Sequence, residues 1–361
     1  MIESIEPLLR GAPFGETQPR KEELLTPLMN ELTDWHVRHS EQYARLIRLM
    51  WPGYRPAANL EEVPWIPVGL FKSHRLASIP DEEVFKTLTS SGTTGQQVSR
   101  IILDRTTARR QTFALASIMG SVLGPSRLPM ILVESKDIIK NRLSFSARGA
   151  GLLGMMNFGR DHFFALDADM RLDVDGLRNF LRTHGSRPFA IFGFTWMVWK
   201  YFYREIESLG IDLSQGTLIH SGGWKKLLEE QISNAAFKEH FARATGLRRI
   251  YNFYGMVEQV GSVFLEGDDG FLYAPRFADV IVRDPRTWKA LPDGEPGVVQ
   301  VLSAIPVSYP GHSILTEDLG VIHGRDDSDT GRGGKRFSII GRLPRAELRG
   351  CSDTHAFSTA A

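Results

Sequence analysis

The chain has 361 residues, and 43 Lys and Arg against 42 Asp and Glu leave a formal charge of +1, so it offers no basic field for nucleic acid. With 42% hydrophobic and 24% charged residues it has the composition of an ordinary globular protein, long enough for one large domain or two smaller ones. The longest uncharged aromatic-rich stretch, Pro188 to Trp199, is far short of the ~20 apolar residues that cross a bilayer, and Glu3 and Glu6 stand where a signal peptide carries basic residues. The expectation is a cytoplasmic protein with no membrane span and no nucleic-acid partner.

Taken in chain order, Lys21 to Met50 carries Leu24, Leu25, Leu28, Leu32, Trp35, Tyr43, Leu46 and Leu49 at a spacing closer to helical than to strand period, which predicts one or two amphipathic helices. From Val84 short apolar runs alternate with helical patterns. Val84–Leu88, Met130–Val133, Phe189–Phe192, Thr217–His220 and Arg249–Phe253 read as strands. Thr107–Leu123, Asp175–Thr183, Trp196–Leu209 and Leu227–Thr245 read as helices. Such alternation predicts an α/β core with a mainly parallel sheet flanked by helices. After about Gly270 the helical patterns stop, and Phe277–Val282, Val298–Leu302, Ser313–Thr316 and Phe337–Ile340 predict a β-rich subdomain. Gly324 to Lys335, without a large apolar residue, reads as a mobile loop. The expected division is a helical region at 1–80, an α/β core at 81–270 and a β-rich subdomain at 271–361.

Thr89-Ser90-Ser91-Gly92-Thr93-Thr94-Gly95 places hydroxyl donors and two flexible glycines directly after a strand. Such a loop fits a phosphate cradle, with a solvated turn as the lesser alternative. It lacks the Gly-Lys-Ser/Thr of a Walker P-loop and leads toward another strand, Ser99 to Leu103, rather than a helix. The single cysteine, Cys351, rules out an internal disulfide and any multi-cysteine zinc site. Gly193 to Tyr203 is rich in aromatic residues, a pattern that suits an apolar pocket and ordinary core packing alike.

Further motifs follow: Ser221-Gly222-Gly223-Trp224-Lys225, Tyr254-Gly255-Met256-Val257-Glu258, Thr316-Glu317-Asp318-Leu319-Gly320, and Gly341-Arg342. In sequence and in order, together with the Ser/Thr/Gly loop, they resemble the adenylate-forming superfamily of acyl-CoA synthetases, luciferases and adenylation domains. Phe71-Lys72-Ser73-His74, Gly193-Phe194-Thr195 and Glu347-Leu348-Arg349-Gly350-Cys351 narrow the resemblance to the LuxE-type acyl-protein synthetases of fatty-acid reductase complexes.

The resemblance implies that the chain activates a carboxylic acid with ATP as acyl-AMP, carries the acyl group on Cys351 and delivers it to a partner such as an acyl reductase. Thr89, Ser90, Ser91, Gly92, Thr93, Thr94 and Gly95 would hold the β and γ phosphates. Gly222 and Gly223 would lie against adenine, and Tyr254, followed by Gly255, would stack on it. Glu258 would carry Mg²⁺, Asp318 the ribose hydroxyls, and Arg342 the ribose or a phosphate. Arg349 and His355 flank Cys351 as sources of positive potential.

Departures from the superfamily pattern bear on mechanism. The small mobile C-terminal domain, whose lysine serves adenylation in most members, is expected to be absent, and Leu343 and Pro344 stand where an acidic hinge residue usually follows Gly-Arg. Adenylation then relies on a residue such as Lys72 or Lys225, or on a partner subunit. Glu317 and Met256 replace a usual Gly and Thr. Two other readings remain at this level: an acyl- or aryl-CoA ligase using free CoA, and a nucleotide-binding scaffold of low activity.

Overall fold

The computed structural model describes residues 5–90, 98–140, 147–224 and 231–343. Their contacts gather into two compact units. One is assembled from three separated stretches, up to residue 90, up to residue 121 and from residue 254, and the other from residues 122–253.

The first unit opens with two helices, Gln18–His39 and Glu41–Met50, within the stretch where helical spacing was read. They are two because Ser40 leaves helical geometry at φ −132° and its side chain accepts from the Tyr43 N–H, capping the second helix. The unit continues with β1 (Ile66–Pro67) and a hairpin of β2 (Lys86–Thr89) and β3 (Arg100–Leu103).

The second unit is built on β4 (Leu128–Ser135), β5 (Gly159–Leu166), β6 (Phe189–Phe194), β7 (Gly216–Ser221) and β8 (Arg249–Tyr254), whose last residue, Tyr254, already counts with the first unit. These pair in parallel in the order β5-β4-β6-β7-β8. The order reverses between β4 and β6, the kind of switch point that opens a crevice at the strands' carboxyl ends. Strand β5 escapes the hydrophobic pattern because its first half, Gly-Arg-Asp-His, is polar. The helices Val174–His184 and Asn234–Thr245 send Leu177, Phe180, Phe237 and Phe241 into one core with Ile191 and Leu218. The helical run after β6 is π-wound over Val198–Tyr203, where Trp199 stacks on Tyr203 at 4.6 Å, so its aromatics are mostly core.

The chain re-enters the first unit with β9 (Phe264–Glu266), β10 (Leu272–Tyr273), β11 (Ala278–Arg283), β12 (Gly297–Ser303), β13 (Ser313–Arg325) and β14 (Lys335–Arg342). These form the expected β-rich part, antiparallel in the order β11-β12-β13-β14-β10-β9. Strand β13 is 13 residues long and changes partner along one edge. Ile314 and Leu315 pair in parallel with β1, whereas Asp318 to Arg325 pair with β14.

The stretch read as a mobile loop is tied down instead. Residues up to Arg325 belong to β13, the Asp326 carboxylate accepts from the Gln18 and Gly334 N–H groups, and the Gly333 N–H donates to the Phe14 carbonyl. Polar side chains that look solvated in sequence here serve as partners for a helix N-terminus. Beneath lies a buried ion cluster: the Asp279 carboxylate on β11 accepts from Gln18 Nε2 at 2.8 Å and from Lys335 Nζ at 3.1 Å, with Lys21 Nζ at 3.9 Å. Although burial alone would raise it, the Lys335 and Lys21 ammoniums hold the Asp279 carboxyl below its usual range. Burial brings Lys21 down to about 8.

Candidate active site

Asp318 is the centre of the site. It stands on β13 just past the change of partner and directly opposite Arg342 of β14, so strand register alone puts the two side chains together. Arg342 Nε donates to Asp318 Oδ1 at 2.9 Å, and the Tyr254 hydroxyl donates to Oδ2 at 2.7 Å. Thr316 Oγ1 accepts from the Asp318 N–H and donates to the Val299 carbonyl, which fixes the strand beneath. Each carboxylate oxygen has more than one lone pair, so Asp318 can accept further hydrogen bonds while keeping both partners.

Tyr254 ends β8 and is half-buried, with its ring 5.9 Å from that of Phe264. Burial of its hydroxyl, reinforced by the Asp318 carboxylate, pushes its pKa well above the ordinary tyrosine value. The phenol therefore remains a proton donor to Asp318 throughout the physiological range.

Glu258 lies four residues on, in the 3-10 turn Val257–Gln259, and is 7% exposed. The turn is clamped from both sides. The Tyr309 hydroxyl donates to the Glu258 carbonyl at 2.9 Å, and Gln259 Nε2 donates to the Gly311 carbonyl at 2.8 Å. Position 311 must be glycine, since a Cβ there would meet the Glu258 carbonyl oxygen at 2.8 Å. Burial raises the Glu258 carboxyl above the ordinary range, opposed by the nearby Ser99 hydroxyl and the Lys72 ammonium, while Glu317 adds to the rise. Among the described residues Ser99 Oγ has no hydrogen-bond partner of ordinary geometry, and it is fully enclosed.

Among the described residues no group of three His, Cys, Asp or Glu forms a metal cage. A single carboxylate with a neighbouring hydroxyl suits Mg²⁺ that takes most of its ligands from phosphates and water. The donor set around Glu258 fits that mode of binding.

Of the loop after β2, Thr89 ends the strand, and Ser90 Oγ accepts from the Ser99 N–H at 2.9 Å, closing the base. Ser91, Gly92, Thr93, Thr94 and Gly95 lie outside the described residues, as does Cys351. Gly222 and Gly223 follow β7 in the second unit. Gly222 has φ +85°, a region that favours glycine, whereas a Cβ on Gly223 would meet nothing within 4 Å. Gly255 is exposed beside Tyr254. The structure thus brings Tyr254, Asp318 and Arg342 into contact and sets Glu258 on the same unit. Ser99, Tyr309 and Gly311, which shape the Glu258 turn, belong to no motif quoted from the sequence. They reach it from remote segments, so no local pattern announces them.

The family model described as "Acyl-protein synthetase, LuxE" matches residues 3–358. The chain is 23% identical to a long-chain-fatty-acid–luciferin-component ligase of Vibrio harveyi, over 96% of this chain and 90% of that protein. It is likewise 23% identical to a ligase of the same name from Aliivibrio fischeri, over 92% and 88%. Among solved structures it resembles 2-hydroxyisobutyryl-CoA ligase in an open conformation with 2-HIB-AMP and CoA, with a TM-score of 0.69, 18% identity, and coverage of 92% of this chain and 77% of that one. The postadenylation state of the same ligase gives 0.68 at 19% identity, over 91% and 69%. At such identity the likeness establishes a shared fold, that of adenylate-forming ligases.

Proposed function

Because the chain belongs to the LuxE acyl-protein synthetase family, we propose that it activates a carboxylic acid of the fatty-acid class with ATP and Mg²⁺ and then carries the acyl group on Cys351. The observation that carries this reading is the Asp318 carboxylate held between Tyr254 and Arg342 with acceptor capacity to spare. A vicinal diol such as that of ribose is a matching donor pair for it. The half-buried Tyr254 side chain offers a flat apolar surface for the adenine. Thr89, Ser90 and the Ser91 to Gly95 loop would take the β and γ phosphates, and Glu258 the Mg²⁺. Bound there, the metal would neutralise phosphate charge.

In the first step a carboxylate oxygen of the acid attacks the α-phosphorus in line, and the bond to pyrophosphate breaks. In the second, the Cys351 thiolate attacks the acyl carbonyl and AMP leaves with the electron pair of the acyl–oxygen bond. An unperturbed thiol, with a pKa of about 8.5, is mostly protonated at neutral pH, so neighbouring positive potential from Arg349 and His355 would assist. The thioester conserves the activation energy for an acyl-accepting partner, such as a reductase.

The test is the intact mass of the protein after incubation with ATP, Mg²⁺ and a panel of fatty acids, beside acid-dependent ATP–pyrophosphate exchange. Wild type should exchange and gain a hydroxylamine-labile acyl mass, whereas Cys351→Ser should exchange without gaining it. Acylation of the variant as full as that of wild type, or direct transfer to CoA without labelling of the chain, would overturn the Cys351 assignment.

A further inference from the structure

A fatty acyl chain on Cys351 raises a problem of its own. In water every methylene of the chain stays exposed at an unfavourable free energy, so a chain waiting for its acceptor is driven onto apolar surface within its reach. That reach is set by where β14 ends. Leu343 follows the strand, its N–H donates to the Glu317 carbonyl at 2.9 Å, and Cys351 stands eight residues further along the sequence. Eight residues of chain span at most roughly 29 Å.

Apolar surface lies beside that exit. Leu343, Met50, Trp51 and Leu319 all pack against a small core of Trp65, Val298 and Leu315. Trp51 does so with its ring edge-on to that of Trp65 at 5.4 Å and its indole N–H donating to the Trp65 carbonyl at 3.1 Å. The same tryptophan lines an open groove of about 460 Å³. Val37 from the helix Gln18–His39, Ala44 and Ile47 from the helix Glu41–Met50, and Tyr54 complete its apolar walls. Ala44 and Ile47 are buried as its floor, whereas Val37, Trp51 and Tyr54 are half-buried. Arg48 also lines it, and its exposed side chain suits the mouth, where the stem covers apolar surface and the charge stays in water. The volume falls within the roughly 300–1,000 Å³ of small-molecule sites. Groove and exit belong to one unit.

We propose that this groove is the resting site of the acyl chain carried by Cys351, which lies there between its transfer from acyl-AMP and its delivery to the acceptor. The proposal rests on the Cys351 reading above. An acyl chain has no polar group to satisfy along its length, so aliphatic and aromatic walls are all that it requires. Tethering makes a shallow, open site sufficient, because a short flexible linker presents its end at an effective concentration on the order of millimolar. The tail's own apolar side chains, Leu348 and Phe357, are the other candidates within reach, but either one would fill only a small part of the groove.

The single cysteine allows a test on the full chain that does not depend on ATP. A long-chain alkyl methanethiosulfonate ending in a diazirine is attacked at its sulfenyl sulfur by the Cys351 thiolate, which forms a disulfide and releases methanesulfinate. Irradiation then marks what the chain end touches, and peptide mass spectrometry reads the position. Most adducts should fall within residues 37–54, and a reagent with a four-carbon chain should give few there. Val37→Asp sets a charge in the groove wall and should lower the long-chain yield about fivefold or more. An undiminished yield in that variant would overturn the proposal, as would adducts scattered over both units or joining two copies of the chain. If Val37→Asp fails to fold, the two reagents still decide, since equal yields at residues 37–54 would show that chain length plays no part. If the groove is marked but incubation with ATP, Mg²⁺ and fatty acid leaves Cys351 without an acyl mass, the Cys351 reading falls and takes the resting-site role with it, an outcome distinct from a groove that the chain avoids.

Discussion

Two aspartates of the first unit have similar company and opposite uses. Asp279 and Asp318 each face a cation from β14, Lys335 at the start of that strand and Arg342 at its end. Asp279 is fully buried, and Gln18, Lys335 and the Val280 N–H occupy its oxygens. Asp318 keeps a side chain 13% exposed and, among the described residues, has two side-chain donors. The difference lies in what each acceptor has left to offer. A carboxylate sealed among its donors ties a helix to a sheet, whereas one with a path to solvent and unused lone pairs is available to a ligand. Glu258 makes a third case, buried like Asp279 but without ammoniums strong enough to bring its carboxyl back down.

The comparison breaks most visibly at Asp279. Asp279→Asn leaves Lys335 and Lys21 as buried charges without a carboxylate, and removing one partner of such a cluster costs about 3–5 kcal/mol. Urea unfolding should show that loss, while the folded fraction binds ATP with unchanged affinity. A cost below about 1 kcal/mol would mean that the cluster is not holding the fold.

Asp318→Asn should do the reverse. Hydrogen bonds to a charged group are worth about 1.5–3 kcal/mol, so ATP affinity should fall roughly ten- to a hundredfold with little change in unfolding. Preference for ATP over 2′-deoxy-ATP should shrink in the variant, and equal discrimination in both proteins would remove Asp318 from the ribose.

The smallest effect belongs to Glu258 in the nucleotide-free protein. Its folded pKa is raised, so above the unfolded value the folded state holds the proton more tightly and stability declines as pH rises through the folded pKa. Glu258→Gln removes this burden. It should unfold at a slightly higher temperature than wild type at neutral pH, and the gap should close as pH falls to the ordinary glutamate range near 4.3. A variant less stable than wild type at neutral pH would show that the buried carboxylate is a structural asset. The same variant should lose most Mg²⁺-dependent pyrophosphate exchange.

Much of this molecule is legible without coordinates because its signals are local. Alternation of apolar runs with helical spacing marks the parallel strands β4, β6, β7 and β8 and the helices between them, and its end near Gly270 marks the antiparallel part. Where the polar and apolar pattern serves something other than burial it misleads. Strand β5 begins with polar residues, and the loop that holds Asp326 and Gly334 reads as mobile although it caps and lines the helix Gln18–His39.

The sequence by itself determined the order of the motifs, and with it the family, because each motif is a short run whose meaning survives without knowledge of its neighbours. Tertiary structure alone decided that Tyr254 reaches Asp318 across 64 residues, that register sets Arg342 opposite it, and that Tyr309, packed on Phe71, holds the Glu258 carbonyl. It also decided that the N-terminal helices share a unit with the last strands, through Lys21 and Asp279. The physical reason is one of range. Propensity and periodicity act over a turn or a strand, whereas a hydrogen bond between distant side chains exists only after register, packing and loop closure have fixed both ends.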